Sequence, residues 1–239
     1  MSPNDISDGL LTAPTQRTLS DYVAEQLRQA ILAGQLKPNE RLVEQEIAER
    51  MQTSRGPVRD GIKTLEAEGL IVRQAHRGAF VSQLHLGDFL EIYTLREALE
   101  TLAIQWVIQK ATDEQLDILS GIVHKMESMA QHDYSQVDAT DLDLDFHHTL
   151  CQISGHTRVL NAWESMSGQI RLVVLKHRLT HPDDLRVRSV SWHAQIVAAL
   201  RERDTEKAVR ELRVHMAASY EWVDAMFQAE RQNKANPQL

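Results

Sequence analysis

Four residues in the C-terminal half of the chain have the chemistry and spacing of a metal site. Asp143 and His147 are four residues apart, so within a helix their side chains point in the same direction. His193 and His215 lie ten or eleven residues on either side of a predicted turn at 203–204, so an antiparallel hairpin brings them level. Three imidazoles and one carboxylate suit a divalent ion such as zinc, nickel or manganese, with positions left open for water or a ligand. We therefore predict a metal site, provided that both histidines face the helical core.

Two other side chains beside this set have simpler interpretations. His148 lies about 100° around a helix from His147, so we expect it to point outward. Cys151 is on the same face as His147 and could be a soft ligand, but a small buried thiol is the favoured interpretation. Neither residue is included in the predicted metal set.

A cluster of basic residues lies nearer the N-terminus. Arg55, Arg59 and Lys63 follow one another at four-residue spacing, so they share one stripe of a helix. The neighbouring stripe is apolar and consists of Val58, Ile62 and Leu65. We expect Ser54 to cap this helix by accepting a hydrogen bond from a first-turn amide. Ordinary surface helices also carry basic stripes, so the flanking elements must decide whether this one binds DNA.

The flanking elements predict a winged helix-turn-helix. A short helix precedes the basic one, and its apolar residues are Leu42, Ile47, Ala48 and Met51. Beyond Gly69, residues 70–73 and 78–81 are rich in strand formers and enclose a polar wing tip at 74–77. Helix, turn, helix and wing in this order form a device that places one helix in the DNA major groove.

The remainder of the chain predicts an all-α antiparallel bundle, so the fold class is mainly α. A leading helix at 18–33 precedes the winged elements. Beyond residue 84 we predict helices at roughly 87–110, 113–131, 135–154, 157–180, 183–201 and 205–231. The predicted organisation is a mobile arm at 1–15, a winged domain at 16–83, a helical domain at 84–232 and a polar tail at 233–239.

Charge and composition restrict the function. The 239-residue chain has a net charge of −8, which argues against non-specific coating of nucleic acid. Residues 1–83 are nearly neutral, with ten Lys and Arg against eleven Asp and Glu, so most of the acidity lies in the helical part. A single cysteine fits a reducing compartment. We see neither a membrane span nor a signal peptide in the sequence, and we expect a cytoplasmic protein.

Residues 36–81 resemble the DNA-binding domain of GntR-type bacterial transcriptional regulators. The resemblance is carried by Ser54-Arg55-x-Pro57-Val58-Arg59 and by Leu65-Glu66-x-Glu68-Gly69-Leu70. It implies that arginines of the basic helix contact bases and phosphates and that the wing contributes less. The predicted DNA contacts are Arg55, Arg59, Ser54, Lys63, Gln45, His76, Arg77 and Gly78. Two departures are Asn39, where the family usually has glycine, and Gly61, which predicts a softer recognition helix.

The helical part resembles the FadR-type ligand domain called FCD. The resemblance is carried by Asp143-x-x-Phe146-His147, by His193, and by Asp204-x-x-x-Ala208 with His215. It implies that the four metal-site residues hold an ion, which in turn binds the carboxylate of a small effector. Arg96 and Tyr93 on the first helix, and Arg171 on the fourth, are candidate effector contacts, although either arginine could instead form a structural ion pair.

Together these features predict a homodimeric repressor that binds a double-stranded DNA operator and responds to a small organic acid. A metal-dependent hydrolase is the main alternative, since three histidines and a carboxylate also occur in hydrolases. No glutamate adjoins a ligand histidine as in HExxH, and the sequence has no nucleophile motif, so we predict that the protein is not an enzyme. A third possibility is a metal with a purely structural role.

Overall fold

The computed structural model describes residues 18–235, which form a winged domain followed by a helical domain. The predicted arm at 1–15 and the end of the predicted tail lie outside these residues. The winged domain contains α1 (Leu19–Leu32), β1 (Arg41–Leu42), α2 (Glu44–Arg50), α3 (Arg55–Ala67), β2 (Ile71–Gln74) and β3 (Gly78–Val81). The predicted mainly α fold with an N-terminal winged helix-turn-helix is therefore confirmed.

The wing is a three-stranded antiparallel sheet in the order β1-β3-β2. Strands β2 and β3 pair from Ile71 opposite Val81 to Gln74 opposite Gly78, so the predicted wing tip forms the turn. Strand β1 was not predicted because two residues are too short to show a pattern. It contains Leu42, which the sequence analysis wrongly assigned to the helix that follows. Asn39 has a φ of 63°, a left-handed conformation that asparagine tolerates better than most residues, which accounts for it in place of glycine.

Gly61 is buried where α3 crosses α1. A Cβ atom there would lie 3.0 Å from the backbone nitrogen of Ala24, 3.0 Å from Cγ1 of Val23 and 3.1 Å from the carbonyl oxygen of Ser20. Val58, Ile62 and Leu65 of α3 are completely buried on the same side. The glycine therefore permits close helix packing, which corrects our interpretation of it as a source of softness.

The helical domain is an antiparallel assembly with α6 at its centre. Its helices are α4 (Leu86–Lys110), α5 (Asp113–Ala130), α6 (Gln136–Ile153), α7 (Thr157–Glu164), α8 (Ser167–Thr180), α9 (Val190–Arg201) and α10 (Thr205–Ala235). Helix α6 packs against α4, α5, α7 and α8, and most of its last three turns is buried. This arrangement places residues of α6 in contact with four neighbouring helices.

Three predicted helix limits were wrong. The helix predicted at 157–180 is two helices, because Met166 leaves the helical conformation (φ −118°, ψ 4°). The helix predicted at 183–201 begins with a π-helical turn, Leu185–Ser189, before α9. Helix α10 continues to Ala235 rather than ending at 231.

The start of α8 contacts the end of the recognition helix α3. The Gly168 amide donates to the carbonyl oxygen of Glu68 at 3.0 Å. A Cβ atom on Gly168 would lie 2.5 Å from Cγ of Leu70 and 2.6 Å from that same oxygen, so only glycine fits without displacement. Arg28 of α1 also binds the Glu68 carboxylate, at 2.6 and 3.0 Å. The two domains therefore meet at the C-terminal end of α3.

The packing of Gly61 predicts that Gly61→Ala destabilises the winged domain by about 1 to 3 kcal/mol, the usual cost of overpacking. Alanine's better helix propensity would alone stabilise α3 by about 1 kcal/mol, so the sign of the change distinguishes packing from propensity. The measurement is the free energy of unfolding in urea. Gly56→Ala in the same helix is the control, because its Cβ would have only one neighbour, at 3.9 Å. A Gly61→Ala variant as stable as Gly56→Ala would contradict this account.

Candidate functional site: a histidine and carboxylate cluster

The structure brings together all four predicted metal-site residues. One ligand atom from each of Asp143, His147, His193 and His215 lies within 4.8 Å of the other three. The Nε2 atom of His147 is 3.0 Å from that of His215 and 3.3 Å from that of His193. Ligand atoms held about 2.1 Å from one ion lie roughly 3 Å or slightly more apart, so this spacing fits a common ion. Helix α6 supplies the first two residues, and α9 and α10 supply the others.

Hydrogen bonds orient two of the imidazoles toward the shared centre. His147 Nδ1 lies 2.6 Å from a carboxylate oxygen of Glu100, and His193 Nδ1 lies 2.6 Å from the carbonyl oxygen of Ser189. Both partners are acceptors, so in the neutral rings Nδ1 carries the proton and Nε2 presents a lone pair. Two lone pairs 3.3 Å apart require a cation or a proton between them. The donor set thus fits a divalent metal, and the outer hydrogen bonds are those that metal-binding histidines usually make.

The titration behaviour of the cluster also suits metal binding. Burial lowers the pKa of His193 to about 4 and lowers the pKa of His215 well below its usual value, so both rings are neutral near pH 7. Burial alone would raise the pKa of Asp143, but the Arg178 guanidinium and the nearby histidines lower it well below its usual range. At neutral pH the site therefore offers imidazole lone pairs and an ionised carboxylate.

Two buried arginines compensate the buried carboxylates. Arg178 Nη2 donates to Asp143 at 2.9 Å, and Arg96 Nε donates to Glu100 at 2.7 Å. Glu100 also accepts from Trp163 Nε1 at 2.9 Å, and its pKa is lowered to about 2 by His147 and Arg96 despite its burial. The arginines are thus bound into the same network as the metal-site residues.

A small cavity lies beside the cluster, and we call it the cluster cavity. Its volume is about 20 Å³, room for roughly one water molecule. Its polar lining consists of Tyr93, Arg96, Asp143, His177, Arg178, Asp184, Trp192 and His215. The cavity therefore adjoins Asp143 and His215 of the cluster and both arginines.

The structure brings only two of the three predicted effector residues to this cavity. Tyr93 and Arg96 line it, and both are buried. Arg171 lies elsewhere, because its position on α8 directs it toward the winged domain, and it forms an ion pair with Asp141 of α6. It lines a separate cavity of about 500 Å³ together with Arg28 and other residues from both domains. Arg171 is therefore not part of the cluster.

Sequence reasoning missed several residues of the site. Glu100 was not among the predicted site residues, and its hydrogen bond to His147 was not anticipated. Arg178 was not considered, since nothing in the sequence relates it to Asp143, 35 positions earlier. His177 was not predicted, yet it lines the cluster cavity and its ring is stacked on that of His181, four residues later, with the ring centroids 4.6 Å apart. The spacing of His177 and His181 was the one available signal.

The two flanking predictions agree with the structure. His148 is part-exposed and its Nε2 lies 2.9 Å from Glu164, so it points away from the cluster. Cys151 is completely buried, and that burial raises the pKa of its thiol, so it is an inert core residue. His156 caps α7 by accepting from the Val159 amide at 3.2 Å.

The basic stripe of α3 is exposed, and its two arginines share one acidic partner. The side chains of Arg55 and Arg59 are 58% and 51% exposed, and both lie near Glu44 of α2, at 3.5 and 3.2 Å. Lys63 is also exposed and pairs with Asp60 at 3.0 Å. Glu44, which was not predicted, orients the two arginines outward and leaves donors available for phosphates or bases.

The other predicted DNA contacts lie on the same domain. Gln45 is exposed on α2 and donates to Glu49 at 2.7 Å. His76 and Arg77 are exposed at the wing turn, followed by Gly78 at the start of β3. Ser54 precedes α3 with the backbone of a cap residue, but its side chain makes no capping hydrogen bond, so that part of the prediction was wrong. Its hydroxyl is left for solvent or DNA.

Comparison with known proteins agrees with this architecture. Residues 19–81 match the model of the bacterial regulatory proteins of the gntR family, and residues 91–218 match that of the FCD domain. None of the helices between residues 18 and 235 is long and apolar enough to cross a membrane. The two matches correspond to the winged and helical domains.

Similar proteins are transcriptional regulators. The chain is 27% identical to the HTH-type transcriptional regulator YdhC of Bacillus subtilis (strain 168), over 95% of this chain and 100% of the relative. It is 26% identical to the gluconate operon transcriptional repressor of the same organism, over 80% and 79%. The E. coli McbR/YncC structure shares the fold, with a TM-score of 0.70 and 19% identity over 89% and 100% of the two chains. The chain therefore belongs to the gntR family of bacterial regulatory proteins and carries an FCD domain behind its winged helix-turn-helix.

Proposed function

We propose that this protein is a homodimeric transcriptional repressor whose operator affinity is controlled by a small carboxylate effector bound at a metal site. The observation that carries the proposal is the convergence of three imidazoles and Asp143 beside buried arginines. Relatives named as repressors of the gluconate operon and of D-xylose utilisation support the repressor role. A two-fold symmetric dimer would bind a pseudo-palindromic operator.

Asp143, His147, His193 and His215 would hold the metal. When bound, it supplies a Lewis-acidic position for a carboxylate oxygen. Glu100 and Ser189 fix the orientation of two imidazoles, while Arg96 and Arg178 supply positive charge to the adjoining cavity. The dry surroundings of the cluster strengthen each of these electrostatic contacts.

Helix α8 offers a physical route from this site to the DNA-binding surface. Its C-terminal part carries Arg178, which binds Asp143, and its N-terminal end carries Gly168, which packs on Glu68 and Leu70. Gly168 and Arg178 are ten positions apart, which corresponds to about 15 Å along the helix. An effector that changes the position of Arg178 would therefore shift the docking of α3, and with it the population of DNA-competent dimers.

DNA binding by α3 predicts that Arg55→Ala and Arg59→Ala each weaken specific binding by about 10- to 100-fold, since a lost base contact costs about 1 to 3 kcal/mol. The measurement is a gel shift with duplexes that the wild-type protein selects from a randomised pool. Arg210→Ala is the control, because it removes the same charge from an exposed position on α10. If both variants bind DNA with the wild-type affinity, α3 is not the helix that contacts the bases.

Metal binding predicts that His193→Ala loses at least about tenfold in affinity for zinc, measured by competition with a chromogenic chelator and by elemental analysis of the purified protein. The alanine removes one of the four donors, so the ion loses one metal–nitrogen bond. His148→Ala is the matched control on α6 and should retain full affinity. Chelation should also lower the melting temperature of the wild-type protein. An unchanged zinc affinity in His193→Ala would refute the site.

Effector control predicts that some small organic acid raises the melting temperature of the metal-loaded protein and changes its operator affinity by about 5- to 150-fold. Gly168→Ala should keep the melting shift but reduce the change in operator affinity, because it separates α8 from α3. Gly121→Ala, with open space around its Cβ, is the control. If acids stabilise the protein and operator affinity never changes, the metal site has no regulatory role. If chelation lowers the melting temperature and no acid shifts it, the metal is purely structural.

A further inference from the structure

Two buried arginines in the cluster cavity have hydrogen-bond donors without acceptors. Among the described residues, Nε and Nη1 of Arg178 and Nη2 of Arg96 make no hydrogen bond, although both side chains are about 98% buried. Both arginines line the cluster cavity. Unsatisfied donors on a buried cation are costly, so they indicate groups that a ligand satisfies. If one oxygen of a monocarboxylate binds at the metal position, its other oxygen has two lone pairs and cannot accept from all three donors.

The net charge of the buried cluster indicates how many negative charges the ligand must supply. Arg96 and Arg178 carry two positive charges, which Glu100 and Asp143 offset through the ion pairs already described. The cluster is therefore neutral before a metal binds. Asp184, the other acidic residue of the cavity, is paired with Arg188 at 2.6 Å and adds no net charge.

A divalent ion adds two positive charges that no described carboxylate of the cavity offsets. A monocarboxylate would leave one of these buried charges uncompensated, and an uncompensated buried charge is strongly destabilising. A ligand with two carboxylates would restore neutrality. It would also provide four acceptor oxygens for the metal position and the three free guanidinium donors.

We propose that the effector is a short dicarboxylate, with one carboxylate at the metal position and the other bound by Arg178, assisted by Arg96. This inference rests on the proposed effector control of the same site. Because the cluster cavity holds only about 20 Å³, the ligand must displace lining side chains. Arg178 is the side chain best placed to move, since its bonds to Asp143 and to the Ser189 hydroxyl can be exchanged for bonds to the ligand.

The test is isothermal titration calorimetry of the full-length, zinc-loaded protein with malonate, succinate and glutarate and with the monoamide of each acid. Acid and monoamide have nearly the same size and shape and differ by one charge. At the best chain length, the diacid should bind at least about tenfold tighter than its monoamide. Zinc content is measured after each titration, so that extraction of the metal by the acid is recognised.

The role of Arg178 is tested in the same titrations. Arg178→Gln should reduce the preference for the diacid over its monoamide to less than about threefold, and Arg178→Lys should retain part of it. Arg186→Gln, an exposed arginine beyond the end of α8, should leave the preference unchanged. The comparison of diacid with monoamide in the wild-type protein stands even if an Arg178 variant fails to fold.

Three outcomes would overturn the inference. Equal or tighter binding of the monoamide at every chain length would show that the second charge is not recognised, while effector control by a carboxylate would survive. Tighter binding of inorganic phosphate than of any diacid would assign the site to a different dianion. If none of these acids nor propionate binds, the inference fails together with the proposed effector control.

Discussion

The buried carboxylate of Asp143 is the group around which the helical domain is organised. A lone ionised carboxylate is costly to bury, so it must be compensated by charge and hydrogen bonds. Arg178 of α8 and Arg96 of α4 supply the charge, and the histidines of α6, α9 and α10 surround it. Glu100 then balances Arg96 and orients His147. Five helices are therefore joined through one charge-balanced centre, and a change at this centre affects each of them.

This centre also lies at one end of the helix that contacts the DNA-binding domain. Helix α8 is bound to Asp143 through Arg178 and to the end of α3 through Gly168. Glycines make both close approaches possible, since Gly61 allows α3 to pack on α1 and Gly168 allows α8 to reach the backbone of Glu68. The helix that carries the exposed arginines, α3, is thus closely packed at two points, against α1 and against α8. Because both contacts are closely packed, a small displacement of α8 is expected to displace α3 as well.

The sequence predicted the elements and the convergence of the histidine and carboxylate residues well where short periodic patterns carry the information. The order of helices and wing follows from local apolar spacing, and Asp143 with His147 follows from helical spacing. The predictions were wrong where long-range contacts decide. Residues 157–180 have a continuous helical pattern, yet the chain breaks at Met166 so that Gly168 can dock on the other domain. Gly61 appeared to be a defect because propensity considers one helix alone, whereas its role depends on α1.

The sequence by itself therefore determined the two domains, the exposed basic stripe of α3 and the identity of the four convergent residues. These depend on periodicity and residue type, which are local properties. Only the tertiary structure decided that Arg178 joins the cluster and that Arg171 faces the winged domain instead. Both arginines lie on α8, seven residues apart, and nothing in their spacing distinguishes them. Their different roles come from the partners that other helices bring, Asp143 for one and Asp141 for the other, because buried charge must be matched in three dimensions.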